Sequence, residues 1–340
     1  MQKLVFVLLL LGLQVTVAIA QSSAVANYNY NKLFVIDGHT HDLVKRNGEE
    51  PKQAGIDRLK AASIDGIILF FPLNSCPPGT IIQQIRMDKE YIQKIAAGKN
   101  IEVKFVNEFN QPKNSSNSYS LQILLGGEID GLFSSSLERV DQLKAVGISI
   151  VVLDDNDLDK ITGATYNSKK QFNEFGQKLI RKLNDNDITI DISHLSEELQ
   201  LEVMQLSTKP VIAGHANAKT IAKVDRNISD KVMDKLFKQG GILLFTFDRE
   251  DLFGKTPAGN KSGISKLIEH INYIVKNYGI DNIGIGTDYG GSGRNSPADL
   301  FDIYCFRKIS DGLIKIGYSV EQVRMIMGEN IVRFFSEKEG

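Results

Sequence analysis

Nine short apolar runs rich in Ile, Val, Leu and Phe, separated by stretches of helical periodicity, restrict the fold more than any other feature of the chain. They span residues 33–37, 66–71, 101–106, 122–126, 148–153, 188–192, 210–213, 241–246 and 282–286. A continuous apolar run marks a strand covered on both faces, and strands alternating with helices build a parallel sheet through βαβ crossovers. The intervening segments supply those helices: Phe172, Phe175, Leu179 and Leu183 recur at helical spacing, as do Leu267, Ile268, Ile271, Ile274 and Val275. Residues 107–120 are polar and aperiodic, which predicts an inserted surface loop, and the adjoining run 101–106 is therefore left outside the main sheet. Eight strands remain. The expectation is an α/β fold, a (β/α)8 TIM barrel of one domain over residues 21–340, a length that accommodates the ~250 residues of such a barrel with insertions.

The first twenty residues predict the compartment. Lys3 precedes a long apolar stretch that ends in Ala18-Ile19-Ala20, the pattern of a secretory signal cleaved before Gln21. The protein is then expected to be exported, secreted or periplasmic, and without a transmembrane segment after cleavage, since no second run approaches ~20 apolar residues. The charged ending FFSEKEG also argues against a lipid anchor. Forty Lys and Arg against 41 Asp and Glu, interspersed, give a net charge of -1 and no basic face for nucleic acid, so a small-molecule substrate is the expected partner. Cys76 and Cys305 are too few for a disulfide scaffold; in an oxidising compartment they could pair, and otherwise they pack as apolar residues.

Four of the five histidines, His39, His41, His194 and His215, directly follow apolar runs. The C-terminal ends of barrel strands are where active sites are built, so this placement predicts a metal site. Residues i and i+2 of a strand point the same way, so His39 and His41 would project together while Thr40 turns aside. Glu128 ends the run LQILLGG, and its two carboxylate oxygens can bridge two ions; Asp288 ends the last run before glycines and is a candidate general base or acid. Asp191 is expected to orient or pack, and His270, within a helical pattern among charged and polar neighbours, to lie on a solvated face. Imidazole and carboxylate ligands without thiolate suit Zn²⁺ and do not exclude Mn²⁺, Fe²⁺ or Co²⁺. Two ions about 3.5–4 Å apart sharing a carboxylate would generate a nucleophile at neutral pH, which predicts hydrolysis of a carbonyl or phosphoryl bond.

Together these motifs resemble the renal (membrane) dipeptidase family of zinc peptidases, peptidase family M19, from about Val35 to the C-terminus. DGHTHDL is similar to the family's DGHNDL, LLGGEIDG to its IGVEGG, ITIDISHLS to its ILVDLSHVS, and IGIGTDYGG to its VGIGSDFDG. The resemblance implies an amidohydrolase-type barrel that cleaves dipeptides with a metal-bridging hydroxide, using two zinc ions. It implies His39 and His41 on one ion, Glu128 bridging, and His194 with His215 on the other. It also implies Arg226 on the substrate's C-terminal carboxylate, Asp288 near its amine and the attacking water, and commonly a homodimer. Three positions depart from the family pattern: His41 stands where Asp is usual, Gly290 follows Tyr289 where an Asp is usual, and Asp154 or Asp155 replaces a histidine that contacts the scissile carbonyl. Asp154 is accordingly placed against the substrate. The order HxH, Glu, His, His, Asp is also similar to that of TatD-like metal-dependent nucleases, and a metal-binding homologue that has lost turnover is a third reading; the near-neutral charge weighs against the nuclease.

Overall fold

A computed structural model describes residues 28–43, 55–72, 80–111, 119–129, 136–154, 171–255, 259, 261–291 and 295–336. The expected signal at residues 1–20, Cys76 and Asp155 fall outside them. Nine strands form one parallel sheet: β1 (Ile36–Thr40), β2 (Gly66–Pro72), β3 (Glu102–Val106), β4 (Ser120–Ile129), β5 (Ile148–Asp154), β6 (Thr189–His194), β7 (Ile212–Ala213), β8 (Ile242–Phe245) and β9 (Ile283–Ile285). The path runs β1-β2-β4-β5-β6-β7-β8-β9. At the C-terminal end of β1 and just past β9, Thr40 bridges Tyr289, Asp288 N–H donates to His39 O (2.9 Å) and His41 N–H donates to Tyr289 O (2.7 Å), bringing the last strand back to the first. Eight parallel strands thus make the barrel.

Strand β3 is the extra one, as its place beside the polar stretch predicts. It pairs with Ser120–Leu124 at the start of β4, whereas β5 takes over from Leu125 onward, so β3 continues the sheet below the barrel wall without entering the path. The polar stretch after it departs from the expectation in one respect: Phe109 is buried and packs edge-on against Phe335, because an aromatic ring is needed to fill the barrel floor.

Helices α1 (Ile56–Ala61), α2 (Ile81–Ala97), α3 (Glu138–Ala145), α4 (Glu174–Asp185), α5 (Glu197–Leu206), α6 (Asp230–Lys238), α7 (Arg249–Phe253), α8 (Gly263–Tyr278) and α9 (Cys305–Lys315) follow the strands, and Asn330–Ser336 closes the described chain. Local chemistry sets their starts: the side chains of Asn173, Ser229 and Ser262 accept N–H bonds from Gly176, Val232 and Ser265 at the N-termini of α4, α6 and α8. Helix α4 buries Gly176, Leu179, Ile180 and Leu183, one stripe at i, i+3, i+4 and i+7. Two cores result. Outward residues such as Ile67, Leu69 and Phe71 meet the helices, while Ile68, Phe70, Leu124, Ile150, Val152 and Leu244 fill the barrel with Ile331 and Phe335 below. Alternation within one strand, Ile67 out and Ile68 in, is the period of two that a barrel wall requires.

His270 corrects the sequence reading. It lies on the inner face of α8 with no exposed surface, its Nδ1 accepting the Ala218 N–H (3.2 Å) and its Nε2–H donating to Leu252 O (3.0 Å). Charged neighbours in sequence point elsewhere around the helix, and two backbone partners satisfy a ring that periodicity alone cannot place.

Candidate metal centre

A β-bulge aims the first two histidines. Ile36 faces the barrel interior, so the odd-numbered residues of β1 would ordinarily face the helices. Between Asp37 and Thr40 the register with β2 slips by one residue, Asp37 pairing with Ile67 but Thr40 with Leu69. The extra residue reverses the alternation, and His39 and His41 both turn inward. His39 stacks on the inward Phe70 ring, with centroids 3.8 Å apart and planes 16° from parallel. Asp37 pins the bulge by accepting from Thr287 N (3.0 Å), Thr287 Oγ1 (2.7 Å) and His39 N (3.3 Å), so β1 and the end of β9 are held as one unit.

Four Nε2 atoms converge on Glu128. His39 and His41 Nε2 are 3.2 Å apart, and each lies close to Glu128 Oε1, at 3.5 and 3.2 Å. Asp288 Oδ1 completes this group at 3.4 Å from His41 Nε2 and 3.8 Å from His39 Nε2. On the other side, His194 and His215 Nε2 are 2.7 Å apart and share Glu128 with the first group. The ligand atoms of each set, His39/His41/Glu128/Asp288 and Glu128/His194/His215, lie within 4.8 Å of one another. Two imidazole nitrogens on one tetrahedral zinc, each about 2.0–2.1 Å from the ion, sit about 3.3 Å apart. The first pair matches that spacing and the second is tighter, so the residues fit divalent ions at two adjacent positions with a carboxylate between them.

The opposite ring nitrogens are braced. His41 Nδ1 meets Phe70 O at 3.1 Å and His194 Nδ1 meets Asp154 Oδ2 at 2.8 Å. Asp191 lies between the other two: its Oδ2 is 3.9 Å from both His39 Nδ1 and His215 Nδ1, and all three atoms are buried without a hydrogen bond. Its Oδ1 is fixed by Ser193 N (2.9 Å), Ser193 Oγ (2.6 Å) and Gly214 N (3.1 Å). Only glycine permits this approach, since a Cβ at position 214 would fall 2.1 Å from Asp191 Oδ2. Acceptors within hydrogen-bond distance, as on His41 and His194, orient metal-binding histidines.

Electrostatics follow from burial and proximity. Burial by itself would lower the His41 imidazole, but the Glu128 and Asp288 carboxylates outweigh it and raise His41 to about 9. Burial would likewise raise Glu128, yet His41 and His39 hold it well below the usual carboxylate range. Burial, then the His39 and His194 rings and Arg226, hold His215 well below the usual imidazole value, so it is neutral and one of its ring nitrogens carries a lone pair. Such a neutral ring is what a cation requires.

The structure thus gathers His39, His41, Glu128, His194, His215 and Asp288 in one cleft. Asp288 sits in the left-handed backbone region, φ 60°, which asparagine and aspartate tolerate, and the turn directs its carboxylate back over His41. Arg226 is exposed in the segment between β7 and α6, close enough to influence His215 and the buried Asp251; among the described residues it has no ion pair. Asp154 is at the cleft, with its carboxylate on His194. The sequence reading missed Asp37 and Phe70, whose signal, a carboxylate two residues before the HxH pair and an aromatic ending the second apolar run, is visible only once the strands are paired.

The fold is a (β/α)8 barrel that carries candidate metal-ligand clusters at the C-terminal ends of its strands. The chain belongs to the membrane dipeptidase family, peptidase family M19, whose profile matches residues 14–340. Relatives include dipeptidase ataJ of Aspergillus terreus, 32% identical over 150 residues that cover 44% of this chain and 36% of that protein. Dipeptidase 3 of Macaca fascicularis is 26% identical over 229 residues, covering 65% of this chain and 46% of that protein. The matched segments therefore span less than half of these relatives' own length. Among solved structures, an amidohydrolase from Pseudomonas aeruginosa superposes with a TM-score of 0.75 at 22% identity, over 91% of this chain and 97% of that one. A metallopeptidase from Rhodobacter sphaeroides, liganded with a phosphinate mimic of L-Ala-D-Ala, superposes at 0.72 with 15% identity, over 90% and 99%. These likenesses establish the barrel.

Proposed function

We propose that the protein hydrolyses the peptide bond of dipeptides or closely similar small amides, with two zinc ions held by His39, His41 and Glu128 and by Glu128, His194 and His215. The observation that carries this reading is the pair of imidazole sets sharing one carboxylate. Zinc suits a nitrogen and oxygen donor set without thiolate. When bound, such ions polarise the scissile carbonyl and activate water at neutral pH. Asp288, with Oδ1 at the same edge of the cleft as His41 Nε2, takes the proton of the attacking water and returns it to the departing amine. The Arg226 guanidinium binds the substrate's terminal carboxylate through two parallel N–H bonds, which suits its exposure and its lack of an ion pair among the described residues. Membership of the dipeptidase family and the L-Ala-D-Ala mimic in the Rhodobacter structure support a dipeptide substrate.

The surrounding biology is read the same way. The leader ending at Ala20 directs export, so the enzyme works secreted or in the periplasm as a single barrel domain over residues 21–340, and it pairs as a homodimer. No helix among the described residues is long and apolar enough to cross a membrane. The test is hydrolysis of a dipeptide panel, with a DNA substrate alongside, by purified protein before and after metal stripping and by Glu128→Ala. Dipeptide turnover that needs metal and Glu128 is expected; turnover that survives both losses, or turnover of DNA alone, overturns the reading.

A further inference from the structure

We propose that Asp154 is a positioning residue for the second ligand set: it holds His194 in the Nδ1–H tautomer and so presents the Nε2 lone pair to the ion. The inference rests on the reading that His194 binds metal. Asp154 is the last residue of β5 and His194 the last of β6, and the two are register partners across an irregularity between Val152 and Asp154. That irregularity brings side chains of adjacent strands to the same point on the barrel rim. Asp154 Oδ2 lies 2.8 Å from His194 Nδ1, and the two side chains keep 15% and 17% exposure, so the contact is largely shielded from water.

The tautomer follows from the chemistry of the pair. An ionised carboxylate only accepts, so the ring nitrogen facing it must carry the proton. A neutral imidazole has one N–H, and the lone pair is then on Nε2, which points at His215 Nε2 (2.7 Å) and shares a ligand set with Glu128. The other three histidines of the cleft are held differently. His41 Nδ1 faces a backbone carbonyl, and His39 and His215 Nδ1 both stand 3.9 Å from Asp191, beyond hydrogen-bond distance. The carboxylate fixes the His194 ring plane through this contact, as carboxylate–histidine–metal arrangements do. Asp154 therefore acts on the metal through His194.

The test is zinc binding to the mature chain by competition with a chelator, for the natural protein, Asp154→Asn and Asp154→Glu, with nitrogen NMR of the metal-free histidines. The natural protein binds two ions. Asp154→Asn weakens one of them by about 10–100-fold and leaves the other and the metal-free melting temperature unchanged, while Asp154→Glu recovers part of the loss. His194 reads as Nδ1–H in the natural protein and as a tautomer mixture in Asp154→Asn. A natural protein that binds fewer than two ions overturns the parent reading and this one together. Two ions with undiminished affinity in Asp154→Asn, equal weakening of both ions, or an unprotonated His194 Nδ1 overturns the role of Asp154 alone.

Discussion

Gly126→Ala should damage the metal centre without touching a ligand. Gly126 faces the barrel interior on β4, and a Cβ there would fall 2.6 Å from two ring atoms of Phe70. Carbon atoms in contact prefer about 3.5–4.0 Å, so the Phe70 ring must retreat by about 1 Å. Phe70 has no exposed surface to retreat into, and its ring is the face on which His39 stacks at 3.8 Å. Overpacking of this kind costs about 1–3 kcal/mol. With an unfolding entropy of about 2.1 cal/mol/K per residue, a barrel of this size loses roughly 1–4 °C of melting temperature. Because the shift passes to His39, the ion held by His39, His41 and Glu128 should also bind about tenfold more weakly, equivalent to about 1.4 kcal/mol. Calorimetry with and without zinc reads both effects: a lower melting temperature in the metal-free variant, and a smaller gain on loading. A variant whose metal-free melting temperature and zinc affinity both equal those of the natural protein would refute the chain of contact from Gly126 through Phe70 to His39.

His270 makes stability sensitive to acid. Burial lowers its pKa to about 4, so between pH 6.5 and 4 the unfolded chain takes up a proton that the folded chain refuses; stability is intact above 6.5 and falls by up to roughly 3 kcal/mol as pH drops through that window. Denaturant titrations from pH 7 to 4 should show a shallower decline for His270→Gln, and identical slopes would assign the effect to another group. Arg226→Lys keeps the charge but loses the fork, and should cut kcat/KM for dipeptides by about 10–150-fold, mostly through KM, the range of a charged hydrogen bond of about 1.5–3 kcal/mol. A dipeptide C-terminal amide should be a poor substrate for the natural protein and indifferent to the substitution; equal sensitivity of acid and amide would remove Arg226 from carboxylate binding.

The architecture is legible in the sequence because buried parallel strands are written as apolar runs: nine runs meet nine strands, and the polar neighbourhood of residues 101–106 marks the one outside the barrel path. Boundaries shift where pairing decides them, as in β1, which begins at Ile36 and extends through the first histidine to Thr40. The histidines and Glu128 stand out because a scarce polar residue at the end of a buried apolar run must be desolvated, and only a bound partner offsets that cost. What the sequence conceals is pairwise. The bulge that reverses β1 depends on the partner strand, and the contact of Asp154 with His194 depends on a second register shift 40 residues away. Phe109 and His270 are concealed differently: each is one buried residue in a polar neighbourhood, where local composition outweighs the single side chain that the core needs.

Anomalous diffraction at the zinc edge, from crystals grown with the metal, tests the central claim most directly. Two peaks about 3.5–4 Å apart are expected, one between His39, His41 and Glu128 and the other between Glu128, His194 and His215, with the Glu128 carboxylate touching both. A single peak, or peaks that Glu128 does not join, would contradict it.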